Sequence, residues 1–598
     1  MSDQANSQSS FLQNRSPRRR VLIVGGVAGG ASCAARLRRL DESVEIVMFD
    51  RGPYVSFANC GLPYYVGNVI SDERNLLVAS REMFRDRFNI EVHTETEVTG
   101  VDRNTRAIAV RDVHTGNTRS EHYDALVLSP GAAPIRPQLP GVDLPGVFAV
   151  RSIPDSRRIR SWIADRRAKT AVVVGGGFIG LEMVENLIHR ELSVAILEKL
   201  PQVMPPLDPE LAVPLMEHLA GKGVRLHLGD GLARIEERDG GGLIVVAESG
   251  ARLPADLVIL AIGVRPETAL AKDAGLQIGP RGGIVVDAQM RTSDPSIWAV
   301  GDVVEVQDVL TGQETVLPLA GPANRQGRVA AESIAGRGTH FRGVQATAVV
   351  GVLGLTVAST GASEKGLRRA GVTSFQRVYL HPGHHAGYYP GAQSIHLKLL
   401  FGVPDGRILG AQAVGLEGVE KRIDVIATAI QFNGTVHDLA EVELCYAPQF
   451  GAAKDPVNLA GMERVMEDFF GRRMRPWFAE RWPRTAETEL TAPAVDLYEE
   501  KDDIVVKAEL PGMEKDNIEV NLADHTLTIK GEKKKEAEVK KENYYRSERF
   551  HGSFLRTLEL PKDVHGDKVK ASFKDGILEV RLPKTEEAKR KEVKVKVD

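Results

Sequence analysis

The sequence predicts two unlike folds in one chain: parallel α/β domains from about residue 20 to 460, then an all-β sandwich of about ninety residues. Three observations lead there. A strand, a glycine-rich turn and a helix occur at 21–40 and recur at 171–188, the mark of a repeated nucleotide-binding unit. The same region is rich in Gly and Ala, with short Val/Ile/Leu runs followed by helical periodicity. From about residue 490 Gly becomes scarce, Lys and Glu become frequent, and short alternating strands such as 503–510 replace that pattern.

At 598 residues the chain exceeds one hydrophobic core, and about 100–200 residues per domain implies roughly three to five domains. A hydrophobic content of 42% excludes disorder as the whole account. The net charge of −3 gives no pull toward nucleic acid or an anionic membrane, and neither is expected as a partner. Three cysteines, Cys33, Cys60 and Cys445, exclude a disulfide scaffold; their odd number suggests a reducing compartment, so a cytoplasmic location is expected. The first twenty residues hold Ser, Gln, Asn and the Arg18-Arg19-Arg20 cluster without an apolar run, and 1–19 read as a disordered tail rather than a secretory signal. The apolar runs 171–179 and 257–264 fall short of the roughly 20 residues a membrane helix needs and read as buried strands.

The second copy of the repeat is the cleaner. Val172-Val173-Val174 leads into glycines at 175, 177 and 180, the G-x-G-x-x-G spacing between a strand and a helix. Gly175 permits the tight turn, Gly177 lets a pyrophosphate approach the backbone, and Gly180 lets helix pack on strand. The following helix N-terminus stabilises the phosphates. Val194-Ala195-Ile196-Leu197 then ends at Glu198, placed to accept from a ribose 2′-hydroxyl and to repel a 2′-phosphate. NADH is therefore expected over NADPH, while Lys199 leaves NADPH use open.

The first copy departs from the pattern. In Gly25-Gly26-Val27-Ala28-Gly29-Gly30, Val27 stands where a second glycine is expected, and alone this reads equally as a plain strand–turn–helix. Three further features strengthen it. Ile46-Val47-Met48-Phe49 ends at Asp50, the expected ribose acid; the segment 124–131 looks like a strand closing in a tight turn at Gly131; and Ile297-Trp298-Ala299-Val300-Gly301-Asp302 is long and specific.

The paired glycine motifs with the 297–302 segment resemble the two-dinucleotide-binding flavoprotein disulfide reductases. That resemblance implies FAD in the first site, held by Gly25, Gly26, Ala28, Gly29, Gly30, Asp50, Gly131 and Gly301, with Asp302 on the ribityl chain. It implies NADH in the second, held by Gly175, Gly177, Gly180 and Glu198. The expected division is a FAD-binding domain over 20–149 and 263–335, an NAD(P)H-binding domain over 150–262 and an α+β dimerisation domain over 336–461.

Ser56-Phe57-Ala58-Asn59-Cys60-Gly61-Leu62-Pro63-Tyr64 narrows the family. Cys60 has no second cysteine within five residues, and the pattern resembles the single-cysteine branch of coenzyme A disulfide reductases, persulfide reductases and NADH oxidases or peroxidases. A lone cysteine cannot store two electrons as an internal disulfide; it bonds an external sulfur or becomes a sulfenic acid. NADH would reduce FAD, which in turn frees Cys60 as a thiolate of depressed pKa. Peroxidases and many oxidases of the branch carry a His in the first glycine turn, whereas Ala28 here resembles the coenzyme A disulfide and persulfide reductases.

By the same resemblance Ser32, Arg36, Arg39, Ser56 and Asn59 line a coenzyme A channel, with a solvated basic helix face as the alternative, and Lys454 is a further contact. The family's lysine near Arg87 is Phe88 here, which puts tight phosphate binding in question. Tyr388 (or Tyr389) and Tyr446 are the expected proton donors, reaching the active site of a partner subunit in a homodimer; a pair of core aromatics is the alternative. Cys445 reads as structural, and His381, His384 and His385 as a surface loop rather than a metal site.

Residues 491–585 carry a second resemblance. Glu509-Leu510-Pro511-Gly512, Leu558-Glu559-Leu560-Pro561 and Ala571 through Gly576 to Leu578 resemble the α-crystallin domain of small heat-shock proteins. It implies an ATP-independent holdase that binds unfolded clients and assembles into higher oligomers. The aromatic segment 462–490 reads as a linker or the family's N-terminal arm, and 586–598 as a C-terminal extension whose valines resemble its strand-adding tail. Together these readings describe a flavoprotein that uses NADH to reduce coenzyme A disulfide, persulfide or polysulfide through Cys60, joined to a holdase. A water-forming NADH oxidase and a chaperone with a redox-sensing flavin scaffold are the alternatives.

Overall fold

The computed structural model describes residues 19–462, 495–523, 526–533, 552–560 and 564–585. Apart from Arg19 and Met462, the expected tail, linker arm and C-terminal extension lie outside the described residues. The chain divides into two compact units, Met1–Arg472 and Arg473–Asp598.

In the first unit, apolar runs become parallel strands because their sheet is covered by helices and by the antiparallel strands Thr96–Asp102 and Ala107–Asp112, whose Val98, Ile108 and Val110 share its core. Arg20–Val24 buries Val21, Leu22 and Ile23 completely and lies between Glu45–Phe49 and Ala125–Leu128, both parallel to it. Ile297–Ala299 and Glu91–His93 complete a five-stranded sheet at its two edges. Helix α1 (Ala28–Leu40) follows the first strand and buries Cys33, Ala34 and Leu37; helix α2 (Leu62–Val66) follows the second strand and the cysteine segment.

The second sheet repeats this plan. Thr170–Val174 lies between Ser193–Glu198 and Leu257–Leu260, again in parallel, with Arg225–Leu228 beyond the former. Helix α3 (Phe178–His189) follows the central strand, and helix α4 (Pro209–Gly221) opens on Pro209. The far edge is Val147–Phe148, so this sheet reaches back past residue 150; a two-residue strand leaves no pattern to read in advance. The chain then returns to the first sheet, and helix α5 (Ala320–Ile334) packs on α1.

A third domain is an antiparallel sheet ordered Ala348–Val352, Leu355–Gly361, Ile408–Gly415, His396–Gly402 and Phe375–Leu380. Helix α6 (Glu364–Arg369) follows the second of these in sequence, and helix α7 (Val419–Gln431) shares a core of Ile423, Ile426, Leu397, Leu399 and Phe401 with the sheet. Arg422 on α7 is 1% exposed, donating to Asp455 at 2.9 Å and to the His384 carbonyl at 2.6 Å. That bond helps to draw the expected surface loop inward, and His384 and His385 are buried rather than exposed. Among the described residues no helix is long and apolar enough to cross a membrane.

In the second unit Val495–Glu499, Asp503–Glu509, Ile577–Pro583 and Lys570–Lys574 form one antiparallel sheet, and Ile518–Ala523, Thr526–Lys533 and Gly552–Glu559 another. Ile504, Val506 and Val580 from one sheet and Leu527 and Ile529 from the other meet in one core, which makes the unit a sandwich.

Candidate active site

Both glycine turns are shaped by backbone that side chains would obstruct. Gly25 leaves its strand at φ +90° and Gly175 at φ +105°, where an L-residue is strained and a Cβ would strike the carbonyls of Ser129 and Ala261. Above Gly177 the space is open, with no atom within 4 Å of a Cβ position, as an approaching pyrophosphate requires.

The two acids at the strand ends act alike. Asp50 accepts from Gly26 N–H at 3.1 Å and Gly52 N–H at 2.8 Å; Glu198 accepts from Gly176 N–H at 2.7 Å and Leu200 N–H at 2.8 Å. Each carboxylate holds its turn closed and keeps acceptor capacity for a ribose hydroxyl. Burial pushes the Asp50 carboxyl up, and the Gly26 and Gly52 N–H groups offset part of that.

A cavity of about 1300 Å³ runs from the first turn across the sheet. Gly25, Ala28, Gly29, Asp50, Gly131, Gly301 and Asp302 line it, so these sequence-derived positions come together at one site. Val27, the departure from the motif, lines it too, whereas Gly26 packs against Val55 and Gly30 lies beneath the turn against the Gly25 carbonyl. Sequence reasoning missed Arg51, Arg151 and Glu267 on the same wall. Glu267 accepts from Arg51 at 2.8 Å and Arg151 at 2.5 Å, and Arg151 also donates to the Pro130 carbonyl at 3.1 Å. Burial pushes the Asp302 carboxyl up while Arg151 draws it down. The volume, the open turn and the lining acids fit a flavin dinucleotide.

The cysteine segment is fastened to this turn. Ser56, at φ 47° and only 8% exposed, donates its N–H to the Gly26 carbonyl at 2.8 Å, and its own carbonyl accepts from Val78 and Ala79. Asn59 then lines the cavity, and Cys60 follows on the 3-10 turn Asn59–Gly61. Cys60 is exposed, whereas burial pushes the Cys33 thiol up to about 12. The depressed thiol pKa expected for Cys60 does not arise from this chain's own groups. Although the residue reaches the surface, its surroundings desolvate the sulfur, and the Glu182 and Asp302 charges oppose a thiolate, so the pKa is raised. Backbone N–H at the three-residue turn lowers it too little to compensate.

Residues 19–327 match the pyridine nucleotide-disulphide oxidoreductase family and 347–455 its dimerisation domain. A coenzyme A disulfide reductase of Staphylococcus epidermidis is 34% identical over 443 residues, 74% of this chain and 99% of that protein. The chain belongs to the pyridine nucleotide-disulphide oxidoreductase family. An NADH oxidase of Methanocaldococcus jannaschii is 37% identical over 449 residues, 75% of this chain and 98% of that protein. The structure of reduced Bacillus anthracis CoADR-RHD is 47% identical, with a TM-score of 0.74, covering 76% of this chain and 81% of that one. Residues 496–598 of the oxidoreductase match the Hsp20/alpha crystallin family. As a member of this family it works with FAD and NAD(H) and acts on disulfides.

The residues expected to hold substrate are less uniform. On α1 of the oxidoreductase, Ser32 donates to Asn324 at 2.5 Å and Arg36 donates to Glu332 at 2.9 Å, both across to α5. Arg36 therefore already neutralises a carboxylate. Arg39 instead lies 5.9 Å over the Phe88 ring, and Phe88 is partly buried against the core, a packing residue where the family's lysine was expected. Arg38 is the buried member of the run and donates to the Phe88, Glu42 and Asn89 carbonyls. Lys454 is exposed beside buried Asp455.

Tyr388 and Tyr446 are exposed and share a hydroxyl–hydroxyl hydrogen bond of 2.6 Å, so they are no core pair. Within the chain the charges acting on Cys60 come from Glu182 and Asp302, and the tyrosine pair is not among them. Cys445 is exposed rather than core filler, because it lies in the irregular segment after the helix Val436–Glu441 that also carries Tyr446. Both line a second cavity of about 510 Å³ with His384 and Phe450.

Proposed function

We propose that the protein uses NADH to reduce coenzyme A disulfide at Cys60. The exposed Cys60 thiol beside the flavin cavity, with Cys33 sealed in the core, carries this reading, and the coenzyme A disulfide reductase relative supports it. When bound, FAD takes hydride equivalents from NADH and passes two electrons on to sulfur. The chain's own work is positional. Glu198 holds the nicotinamide nucleotide by its ribose, Asp50 and Asp302 orient the flavin nucleotide, and the Ser56–Gly26 bond keeps Cys60 at the mouth of the cavity. Cys60 then attacks the substrate disulfide, holds one half as a mixed disulfide and releases the other as a thiolate.

The deciding experiment is anaerobic NADH consumption with coenzyme A disulfide, repeated with Cys60→Ser and then with oxygen alone. Fast Cys60-dependent turnover on the disulfide supports this function, and a persulfide added in its place tests the neighbouring chemistry. Fast turnover on oxygen and none on the disulfide moves the protein to an NADH oxidase, the reading that the Methanocaldococcus NADH oxidase favours.

We further propose that the oxidoreductase is a homodimer through its third domain, where Tyr388, Tyr389, Tyr446 and Phe450 leave an exposed aromatic face. The C-terminal sandwich acts as an ATP-independent holdase, a reading supported by its two-sheet core and its family match. The full-length chain then suppresses aggregation of a heated client without ATP; no suppression and no assembly beyond a dimer would sink the holdase reading.

A further inference from the structure

Cys60 and Tyr64 stand four residues apart, one on the 3-10 turn and the other on α2, and so face the same side. That side meets α3, the helix that opens from the NADH turn. The approach is tight. A Cβ at Gly67 would collide with the Asn186 amide, Asn186 is fully buried with its Oδ1 unpartnered, and Arg190 donates to the Val66 carbonyl at 3.0 Å. One turn before Asn186, on the same face of α3, is half-buried Glu182, which is thereby turned toward α2 and Tyr64. Its charge reaches the Cys60 sulfur, and the Cys60 charge reaches Tyr64 in return. Glu185, which accepts from Leu353 N–H at 3.0 Å, is the charge acting on Glu182. Burial and Glu185 push the Glu182 carboxyl up to about 7, with the nearby Tyr64 hydroxyl offsetting part.

We propose that Glu182 is a positioning residue for the sulfur chemistry: it holds a proton while Cys60 is a thiolate and releases it when the charge leaves that sulfur. This rests on the reading of Cys60 as the redox nucleophile. NADH and the mixed disulfide RS–S–Cys60 give NAD⁺, RS⁻, the Cys60 thiolate and a proton; the S–S bond takes the two electrons of the hydride, and RS⁻ leaves as RSH. Two adjacent anions are avoided because Glu182 is protonated from solvent as the thiolate forms. When Cys60 attacks the next RS–SR, a new S–S bond forms as the old one breaks, the departing RS⁻ leaves as RSH with a solvent proton, and Glu182 returns its own proton to solvent. The net reaction consumes NADH, one solvent proton and RS–SR, and yields NAD⁺ and two RSH.

The test is the pH profile of Cys60 alkylation by iodoacetamide in the flavin-loaded full-length protein, without NADH or disulfide, read by mass on the Cys60 peptide. In the wild type, Glu182 ionises between about pH 6 and 8 and opposes the thiolate, so the logarithm of the rate climbs with a slope below that of a simple thiol. Glu182→Gln keeps the size and polarity of the side chain but no charge; its slope is that of a simple thiol, and its rate at about pH 8 is higher by about tenfold. Glu182→Asp restores the shallow region. A Gln profile that superimposes on wild type, or differs by one constant factor at every pH, overturns the proposal. Should the Gln variant lose its flavin, the Asp variant decides, because a carboxylate of lower pKa moves the shallow region to lower pH and an unmoved region overturns the proposal. No turnover is measured, so a failure here is separate from a failure of Cys60→Ser to stop disulfide reduction.

Discussion

The Lys398 ammonium lies 3.0 Å from the Asp208 carboxylate, and both side chains are 1% exposed. This contact ties the antiparallel sheet of the third domain to the start of α4 in the second. Glu364 accepts from the same ammonium at 2.7 Å, Glu210 accepts as well, and Gln412 donates to Asp208 at 3.1 Å. Lys398 thus occupies the centre of an acidic cluster, which removes any need for a metal ion among those three carboxylates.

Replacing Lys398 with Met leaves Asp208 buried without its cation and is expected to cost about 3–5 kcal/mol in denaturant unfolding. The pH dependence follows from the shifts. Burial resists ionisation of Glu364, but Lys398 and Arg377 outweigh it and hold its pKa below the usual carboxylate range. That stability is present above about pH 4.3 and is lost as pH falls through the lowered value. The Lys398 pKa is raised by its carboxylates against the cost of burial, so its contribution is present below about pH 10.4 and is lost as pH rises through the raised value. In Lys398→Met both limbs flatten; unchanged acid and alkaline limbs would refute the assignment.

Cys60→Ser removes the nucleophile and is expected to lower disulfide turnover on the order of 10⁴-fold or more. Flavin reduction by NADH, followed by bleaching, stays intact because the second glycine turn and Glu198 are untouched. Cys445→Ser, on an exposed loop, leaves disulfide turnover unchanged. Retained turnover in the Cys60 variant would transfer the chemistry to another thiol.

Glu198 is 8% exposed, and its carboxylate accepts from Gly176 and Leu200 N–H while keeping lone pairs for the proposed ribose hydroxyl. Glu198→Gln keeps an oxygen for Gly176 N–H and removes the charge that repels a 2′-phosphate. A charge-assisted hydrogen bond of about 1.5–3 kcal/mol is weakened, so the NADH over NADPH preference in kcat/KM narrows by roughly 10–100-fold. An unchanged ratio would show that Glu198 serves the turn alone.

These acids and glycines were legible in the sequence because their work is local: Gly175, Gly177 and Glu198 belong to one strand–turn–helix–strand unit whose spacing is its geometry. Cys60 was legible as a lone cysteine in a characteristic segment. Its electrostatics were not, since Glu182 comes from a helix of the other dinucleotide domain and only the α2–α3 packing brings the two together. The same holds for Arg36, which reads as a free cation on a helix face until α5 supplies Glu332. Buried His384 depends on Arg422 in the same way. Long-range pairing of polar groups leaves no periodic trace, whereas backbone turns and apolar strands do.

Tyr388 and Tyr446 supply the last prediction. Their hydroxyls lie 2.6 Å apart on an exposed face, and the bond to Tyr388 raises the Tyr446 pKa. One hydroxyl must donate to the other, so the pair presents a single free proton and acts as one acid rather than two. If that acid protonates a departing thiolate across a dimer interface, Tyr446→Phe and Tyr388→Phe each lower kcat by about 10²-fold with little change in KM. The double variant is then no worse than the more damaging single one, because removing either hydroxyl already breaks the unit. Activities that multiply in the double variant would mean two independent donors. Unchanged kcat in all three would leave the tyrosines as part of the dimer surface only.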